Sequence, residues 1–225
     1  MNLTFKEAFK DSIPIMAGYL VLGSGFGIVA SSYNYNILVP ICMSLFIYAG
    51  SMEYLTLSLL SMGTSLVNAA IMTVVVNLRH MFYGIAMLSK YNNLKKHKAY
   101  TIFSLTDETF SVVVSKKLNN DLNSDEYYFY ISLLNQFYWL VGTIAGYLIG
   151  NILPFSSEGV DFSMTALFIC VVIGQWEENK NHLPTIVGFA VSIACLLIFG
   201  GSNFLIPSIF LICLILIITR GKNNG

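Results

Sequence analysis

Long runs of apolar residues, separated by short polar turns, dominate the chain. About 20 consecutive apolar residues cross a bilayer as a helix, and these runs lack the alternation typical of a transmembrane β-barrel. We therefore predict an all-α polytopic membrane protein, with one transmembrane domain over residues 1–225. About seven transmembrane helices are predicted, at about 13–32, 37–61, 65–89, 127–150, 162–176, 183–199 and 204–219.

The stretch between the third and fourth predicted spans has a different pattern. A moderately apolar segment at 102–114 lies between a basic cluster at 90–98 and a polar connection at 116–127. This segment is short for a span, which needs about 17 residues or more. We therefore predict a short re-entrant or interfacial helix near 102–114.

The distribution of lysine and arginine gives conflicting orientations. By the positive-inside rule, the cluster at 90–98 and the C-terminal Arg220 and Lys222 should be cytoplasmic. If 102–114 does not cross the membrane, the N-terminus lies outside. If it crosses, the N-terminus lies inside but the basic cluster lies outside. We favour the first arrangement because the lysines outweigh the balanced N-terminal segment. A re-entrant first or second span would also remove the conflict.

Composition narrows the class of protein further. Hydrophobic residues make up 56% of the chain and charged residues 11%, whereas soluble domains carry about 25% charged residues. The formal net charge is zero, so no basic field favours binding to nucleic acid. The four cysteines lie in apolar runs, and no Cys/His spacing fits a metal site. We expect no cofactor. No internal repeat is visible.

Few charged residues fall inside the apolar runs, and these few are candidates for function. Glu53 lies in the second predicted span and Arg79 in the third, while Asp107 and Glu108 lie within 102–114. A charge at membrane depth costs about 2.5–3.5 kcal/mol or more, so it usually faces a cavity or a partner. Ideal helices would offset Glu53 from Arg79 by roughly 9 Å. An ion pair between them is possible but not implied, and Asp107 or Glu108 is the competing partner.

The residues around Arg79 leave two interpretations open. Arg79 either forms an ion pair that fixes helix register or lines an aqueous path and meets a carboxylate. His80 either packs with a hydrogen bond or belongs to a proton path, because imidazole titrates near physiological pH. The predicted substrate or ion path comprises Glu53, Asn77, Arg79, His80, Tyr83, Asp107 and Glu108.

Small residues cluster at three places in the predicted spans. Two of the clusters permit either close packing or a helix break: Gly23, Gly25 and Gly27, and Ala49, Gly50 and Ser51. The third cluster has a glycine at every fourth position, which predicts one smooth face for close helix packing: Gly142, Gly146 and Gly150.

Taken together, these motifs resemble the AzlC family of branched-chain amino-acid exporters. The matching stretches are Tyr48-Ala49-Gly50-Ser51-Met52-Glu53-Tyr54, Asn77-Leu78-Arg79-His80 with Tyr83-Gly84, Thr106-Asp107-Glu108, and Asp161-Phe162 followed by Ala166-Leu167-Phe168. The resemblance implies a multi-pass secondary transporter that moves hydrophobic amino acids out of a bacterial cell through the cytoplasmic membrane. It also implies a small, separately encoded AzlD-type membrane subunit. The family commonly has Gln where this chain has Glu53, and a carboxylate there could change substrate range or ion coupling.

The charged residues are consistent with this expectation. A zwitterionic amino acid needs a cation for its carboxylate and an acceptor for its ammonium group. Arg79 offers the first, and Glu53, Asp107 or backbone carbonyls offer the second. We predict proton-coupled export, with Glu53 or His80 carrying the proton. The alternatives are a channel or uptake carrier for another small organic solute, and a membrane-embedded enzyme. No nucleophile motif in the sequence supports the enzyme.

Overall fold

A computed structural model describes residues 3–118, 121–152, 169, 172–173, 176–177, 181–200 and 204–223. The described residues form helices and connecting turns, with no strand among them. Two compact units divide the chain, Met1–Leu167 and Phe168–Gly225. The single domain over 1–225 stays a prediction.

The first unit contains seven helices among its described residues. They are α1 (Leu3–Ser32), α2 (Leu38–Phe46), α3 (Gly50–Ser61), α4 (Leu66–Tyr91), α5 (Lys98–Phe103), α6 (Asp107–Ser115) and α7 (Ser124–Ile152). The second unit contains α8 (Leu183–Phe199) and α9 (Leu205–Asn223), which pack against each other.

Two of the described helices, α1 and α4, are long and apolar enough to cross a membrane by length and composition. Shorter apolar helices cover Leu183–Phe199 and Phe210–Thr219. The count of about seven transmembrane helices stays a prediction, and the span predicted at 162–176 lies mostly outside the described residues. The first span begins earlier than predicted, because the polar residues before position 13 continue α1 and Pro14 lies inside the helix.

Glycine contacts join α1 to α7, which pack along their lengths. A Cβ atom added to Gly23 would lie 2.8 Å from the carbonyl oxygen of Trp139, and Gly146 lies directly against the Ser24 backbone. Side chains at these positions would force the helices apart, so glycine permits the close backbone approach. The same interface contains Gly27, Gly142 and Gly150.

The span predicted at 37–61 is not one helix, because a break at 47–49 separates α2 from α3. At the break, Tyr48 has a φ of 43°, in the left-handed region that non-glycine residues rarely adopt. The residues of the break are themselves apolar or small, so the apolar pattern of the sequence continues through the break without interruption. We call α2, the break and α3 the first hairpin.

The first hairpin enters from one end of α7 and returns to that end. Where α2 begins, near the C-terminus of α7, the Tyr147 hydroxyl donates to the Tyr35 carbonyl at 2.6 Å. Where α2 ends, near the middle of α7, the Gln136 side-chain amide donates to the Ser44 carbonyl at 3.2 Å. The α3 helix then runs back and enters α4 through a short turn at 62–65.

The helix predicted near 102–114 is also divided, into α5 and α6. We call them, with the break at 104–106, the second hairpin. It enters from the opposite end of α7, where the Asp125 carboxylate accepts a hydrogen bond from the Lys96 backbone N–H at 2.9 Å. Its break lies beside the middle of α1, where the hydroxyls of Thr106 and Tyr19 are 2.6 Å apart. The two hairpins therefore meet at mid-height from opposite ends.

The N-terminal part of α1 lies at the same end of the unit as the basic cluster at 90–98. Lys116 Nζ lies 2.8 Å from Glu7 and 2.6 Å from Asp11, and Lys90 donates to three carbonyl oxygens at the end of α6 at 2.6–2.9 Å. The favoured arrangement, with the N-terminus and this cluster on opposite sides, is therefore wrong, and the alternative of a re-entrant second span agrees with the first hairpin. The reason is that each hairpin returns to its own end and adds no crossing.

One arrangement occurs twice, in opposite directions. The α1 helix is followed by a hairpin that starts from the end where α1 finishes, and α4 is followed by a hairpin that starts from the end where α4 finishes. Since α1 and α4 run in opposite directions, the two three-helix segments form an inverted repeat in connectivity.

Candidate functional site

Arg79 occupies the middle of α4, between the tips of the two hairpins. Its Nη1 lies 3.1 Å from Asp107 Oδ2, and its Nη2 donates to the Ser51 hydroxyl at 2.6 Å. Ser51 is the second residue of α3 and Asp107 is the first residue of α6. Of the three acidic candidates, the structure therefore brings Asp107 to Arg79, and the arginine connects α4 to both hairpins.

The start of α6 holds the Asp107 carboxylate in place. Thr106 caps the helix, since its hydroxyl accepts a hydrogen bond from the Thr109 backbone N–H at 3.3 Å. A helix N-terminus also favours a negative charge. The side chains of Arg79 and Asp107 remain 31% and 22% exposed, so the pair is accessible rather than sealed in the core.

His80 and Tyr83 extend this cluster along α4. His80 Nε2 lies 3.6 Å from Asp107 Oδ1. The Tyr83 ring stacks on Phe110 with ring centroids 4.3 Å apart and meets the His80 ring edge-on at 5.8 Å. Asp107 therefore faces both cationic candidates, Arg79 and His80.

Glu53 lies apart from Arg79 and is completely buried. Its Oε2 accepts hydrogen bonds from the Ser44 hydroxyl and the Trp139 indole N–H, both at 3.1 Å. Its Oε1 has no hydrogen-bond partner among the described residues. This carboxyl group is enclosed by neutral donors, an environment in which a negative charge is costly.

Glu108 points toward α1 rather than toward Arg79. It accepts a hydrogen bond from the Tyr19 hydroxyl at 2.7 Å. Its neighbour Asp107 takes the opposite direction, so consecutive carboxylates reach different parts of the unit. The pair predicted as one motif therefore divides into two contacts.

The small residues predicted near the site take different positions. The α1 helix continues unbroken through Gly23, Gly25 and Gly27, and a Cβ added to Gly25 would lie 2.7 Å from the Tyr54 hydroxyl. The helix break occurs instead just before Gly50, which faces the Trp139 ring at 3.1 Å by the same measure.

A cavity of about 700 Å³ lies along one face of α4, between the two hairpin breaks. At one end of the cavity, near mid-height of the helical unit, the wall is polar and includes Thr73, Asn77 and His80. The middle part of the cavity is apolar and is lined by Met52, Met81, Ile85, Leu88, Ile102 and Phe103. The other end, toward the basic cluster, is lined by Tyr91, Asn92 and Lys98. Gly84 lies in the apolar middle, where an added Cβ would meet no atom within 4 Å.

Several residues of this region were not predicted as site residues, although Tyr48 belongs to a motif that resembles the family. Tyr48 lines the cavity, Trp139 and Ser44 bind Glu53, and Tyr19 binds Glu108. They come from segments remote in sequence, and none carries a charge. Only Thr106 had a local signal, because a threonine followed by acidic residues is typical of a helix start.

The fold and the site define an all-helical protein in which two long apolar helices have the length and composition of membrane spans, with a buried or half-buried cluster of charged residues beside a cavity. Comparison with known proteins then gives the family. The family model described as AzlC protein matches residues 14–153. The chain is 40% identical over 216 residues to the branched-chain amino acid transport protein AzlC of Bacillus subtilis, covering 96% of this chain and 85% of the relative. The chain therefore belongs to the AzlC family, and the resemblance inferred from its motifs is confirmed.

Other relatives are also membrane proteins by name. An uncharacterized membrane protein of Helicobacter pylori strain J99 is 38% identical, with 96% of this chain and 95% of the relative covered. The inner membrane protein YgaZ of Escherichia coli is 29% identical over 191 residues, with 82% and 78% covered. No solved structure matches the chain. The later family motif at Asp161 to Phe168 lies outside the described residues.

Proposed function

We propose that the chain is a secondary transporter that exports branched-chain or related hydrophobic amino acids across the bacterial cytoplasmic membrane. The observation that carries this proposal is the position of Arg79, at mid-height between two hairpin tips and directly before His80, which lines a largely apolar cavity. An arginine at this depth is costly, and guanidinium groups bind carboxylates well. The substrate class agrees with the name of the Bacillus subtilis relative.

The substrate carboxylate binds Arg79 in this proposal. The guanidinium is now held by Asp107 and Ser51 and is partly exposed. An incoming carboxylate competes with Asp107 for it, so that binding of the substrate loosens the link between α4 and the second hairpin. The substrate's apolar side chain then packs along Met81 and Ile85 in the cavity.

The inverted repeat supplies a means of alternating access. Inverted repeats with broken helices at mid-depth recur in secondary transporters, and access alternates when one repeat moves against the other. Arg79 contacts both hairpins. Binding of the substrate to Arg79 is therefore coupled to the relative position of the hairpins. In this proposal the multi-pass chain acts as one transporter domain over 1–225.

Proton coupling is assigned to Glu53 or His80. Glu53 is buried among neutral donors, an environment that favours exchange of a proton over a permanent charge. His80 lies beside Asp107 and lines the cavity. Substitution of each residue separately distinguishes the two assignments.

We further propose that a small AzlD-type membrane subunit assembles with the chain. The outer face of α4 exposes large apolar side chains, among them Leu66, Val67 and Phe82. Lipid or such a subunit would cover this face, and the resemblance to two-component systems favours the subunit. Both subunits are therefore included in the test.

The test is counterflow in vesicles that contain the full-length chain, with and without the small subunit. Labelled valine, leucine, isoleucine and methionine are compared across an imposed pH gradient. Saturable counterflow of these amino acids, altered by the gradient, is the expected result. Conductance without counterflow would instead indicate a channel, and chemical conversion in detergent would indicate an enzyme. Absence of amino-acid exchange with both subunits present would refute the proposed function.

A further inference from the structure

Three residues of the cavity wall carry buried polar atoms that lack hydrogen-bond partners among the described residues: Tyr91 at the end toward the basic cluster, and Tyr48 and Asn77 near mid-height. Tyr48 is only 3% exposed, and its hydroxyl lies near the Tyr19 hydroxyl but has no partner in good hydrogen-bond geometry. The buried side-chain oxygen of Asn77 is also unpaired. Both residues line the same cavity. An unpaired buried polar group costs about 1–3 kcal/mol, and most such groups in proteins are paired. Their position therefore indicates a polar ligand.

The chemistry of these atoms specifies a ligand that donates hydrogen bonds. The Asn77 side-chain oxygen can only accept, whereas a tyrosine hydroxyl can accept or donate. A group that satisfies both atoms together must bring at least two donors. A primary ammonium group has three donors and no acceptor.

The charges near Tyr48 also favour a cation. Tyr48 lies two residues after α2 and two residues before α3, so the opposite partial charges of these two helix ends do not decide the sign. Glu108 and Glu53 are close enough to act electrostatically on Tyr48. Arg79 is held by Asp107 and Ser51, and Lys98 lines the opposite end of the cavity. The mid-height wall at Tyr48 and Asn77 therefore suits a positive group.

We propose that the Tyr48 hydroxyl and the Asn77 side-chain oxygen bind the ammonium group of the transported amino acid. This inference rests on the proposed function and assigns the second pole of the zwitterion. The sequence offered Glu53 and Asp107 for this role. Glu53 is completely buried against Ser44 and Trp139, however, and Asp107 is engaged by Arg79. The site therefore selects substrates that carry a primary amine.

The test compares leucine with its α-hydroxy analogue, 2-hydroxy-4-methylpentanoate, which keeps the carboxylate and side chain but lacks the amine. Each compound competes with labelled leucine for counterflow in vesicles that contain the full-length chain and the small subunit. We expect the wild type to favour leucine by at least about 100-fold, because a site built to pair with a polar group rejects analogues without it. In Tyr48→Phe and Asn77→Leu, leucine should bind about tenfold more weakly while the hydroxy acid is unchanged.

Two further variants make the result specific. Asn77→Asp keeps an acceptor oxygen and should retain the preference for the amine. Tyr33→Phe also removes a tyrosine hydroxyl, but Tyr33 packs on Tyr35 after α1 and does not line the cavity. It should behave as wild type.

Equal weakening of both ligands in Tyr48→Phe would overturn the assignment, since it would indicate a structural role. Unchanged discrimination in Tyr48→Phe and Asn77→Leu would also overturn it. If the wild type exchanges leucine but does not distinguish the two ligands, the ammonium site fails and the proposed function stands. If the wild type exchanges no amino acid, both fail.

Discussion

Arg79 on α4 forms an ion pair with Asp107 at the first position of α6, with Nη1 and Oδ2 3.1 Å apart. The pair connects the middle of a long helix to the tip of the second hairpin. Arg79 is the only arginine of the described side chains, and it lies directly before His80, which lines the cavity. A pair that only fixes structure and a cation that binds substrate would both produce this geometry. An exchange of the two charges between the two positions distinguishes these roles.

Charge exchange distinguishes the two roles of the pair. Arg79→Asp and Asp107→Arg should each destabilise the fold by about 1–3 kcal/mol, less than a fully buried pair because both side chains are partly exposed. The double variant should recover thermal stability in detergent. It should not recover leucine counterflow, because the cation has moved to another helix. Normal counterflow by the double variant would show that the pair only fixes structure.

Gly84 is expected to control the size of the side chain that the cavity accepts. An added Cβ at Gly84 meets no protein atom within 4 Å, so Gly84→Leu should fold and fill the cavity instead. We expect counterflow of leucine and isoleucine to fall at least tenfold relative to alanine, measured with labelled substrates. Gly18→Leu is the matched control, since Gly18 is a helical glycine with equal free space that does not line the cavity. Equal effects of the two substitutions on leucine counterflow would argue against this role.

Glu53→Gln tests whether this carboxyl group carries the coupled proton. Glutamine can still accept hydrogen bonds from Ser44 and Trp139 through its side-chain oxygen, so the fold should persist. Exchange without a gradient should continue, but an imposed pH gradient should no longer change its rate. The measurement is leucine counterflow with and without the gradient, compared with His80→Gln. Retention of the full pH response in Glu53→Gln would exclude Glu53 and leave His80.

Lys116 should stabilise the end of the unit where it meets Glu7 and Asp11. Burial lowers the pKa of Lys116, but hydrogen bonds and charges from Asp11 and Glu7 outweigh burial and raise it above its ordinary value of 10.5. A pKa raised in the folded state stabilises the fold fully below the unfolded pKa, and the contribution is lost as pH rises through the folded pKa.

Lys116→Met should therefore lose about 0.5–1 kcal/mol, equally at pH 7 and at pH 9. The difference from wild type should shrink only above pH 10.5. Thermal unfolding in detergent measures this, with the exposed neighbour Lys117→Met as the control. A stabilisation that disappears between pH 7 and pH 9 would contradict the assignment.

The long helices were predictable because their apolar runs are long. The predicted span 183–199 coincides with α8, and 65–89 differs from α4 by one or two residues at each end. The hairpin breaks were not predictable in the same way. At 47–49 the chain turns within an apolar run, and Tyr48 adopts a backbone conformation that its residue type disfavours. The small residues Ala49, Gly50 and Ser51 indicated that a break was possible there, but the sequence did not distinguish a break from close packing.

The charged residues of the candidate site stood out in the sequence, but their pairing did not. Arg79 and Asp107 stood out because charges within apolar runs are costly. Which acid meets Arg79 depended on the second hairpin, which brings Asp107 inward and turns Glu108 toward Tyr19. Neutral partners such as Trp139 carry no charge that is costly in an apolar run, so nothing in the local sequence marked them as site residues. The inverted repeat was likewise absent from the sequence, because it lies in the connectivity of the helices.

The central claim is that Arg79 binds the substrate carboxylate, and leucine counterflow by Arg79→Gln tests it most directly. The variant is reconstituted with the small subunit beside wild type, after both show cooperative thermal unfolding in detergent above the assay temperature. We expect wild-type vesicles to exchange labelled leucine saturably, and Arg79→Gln to lose at least about 100-fold of that exchange, as expected on removal of a charge-assisted contact. Exchange by folded Arg79→Gln at the wild-type rate and affinity would contradict the account.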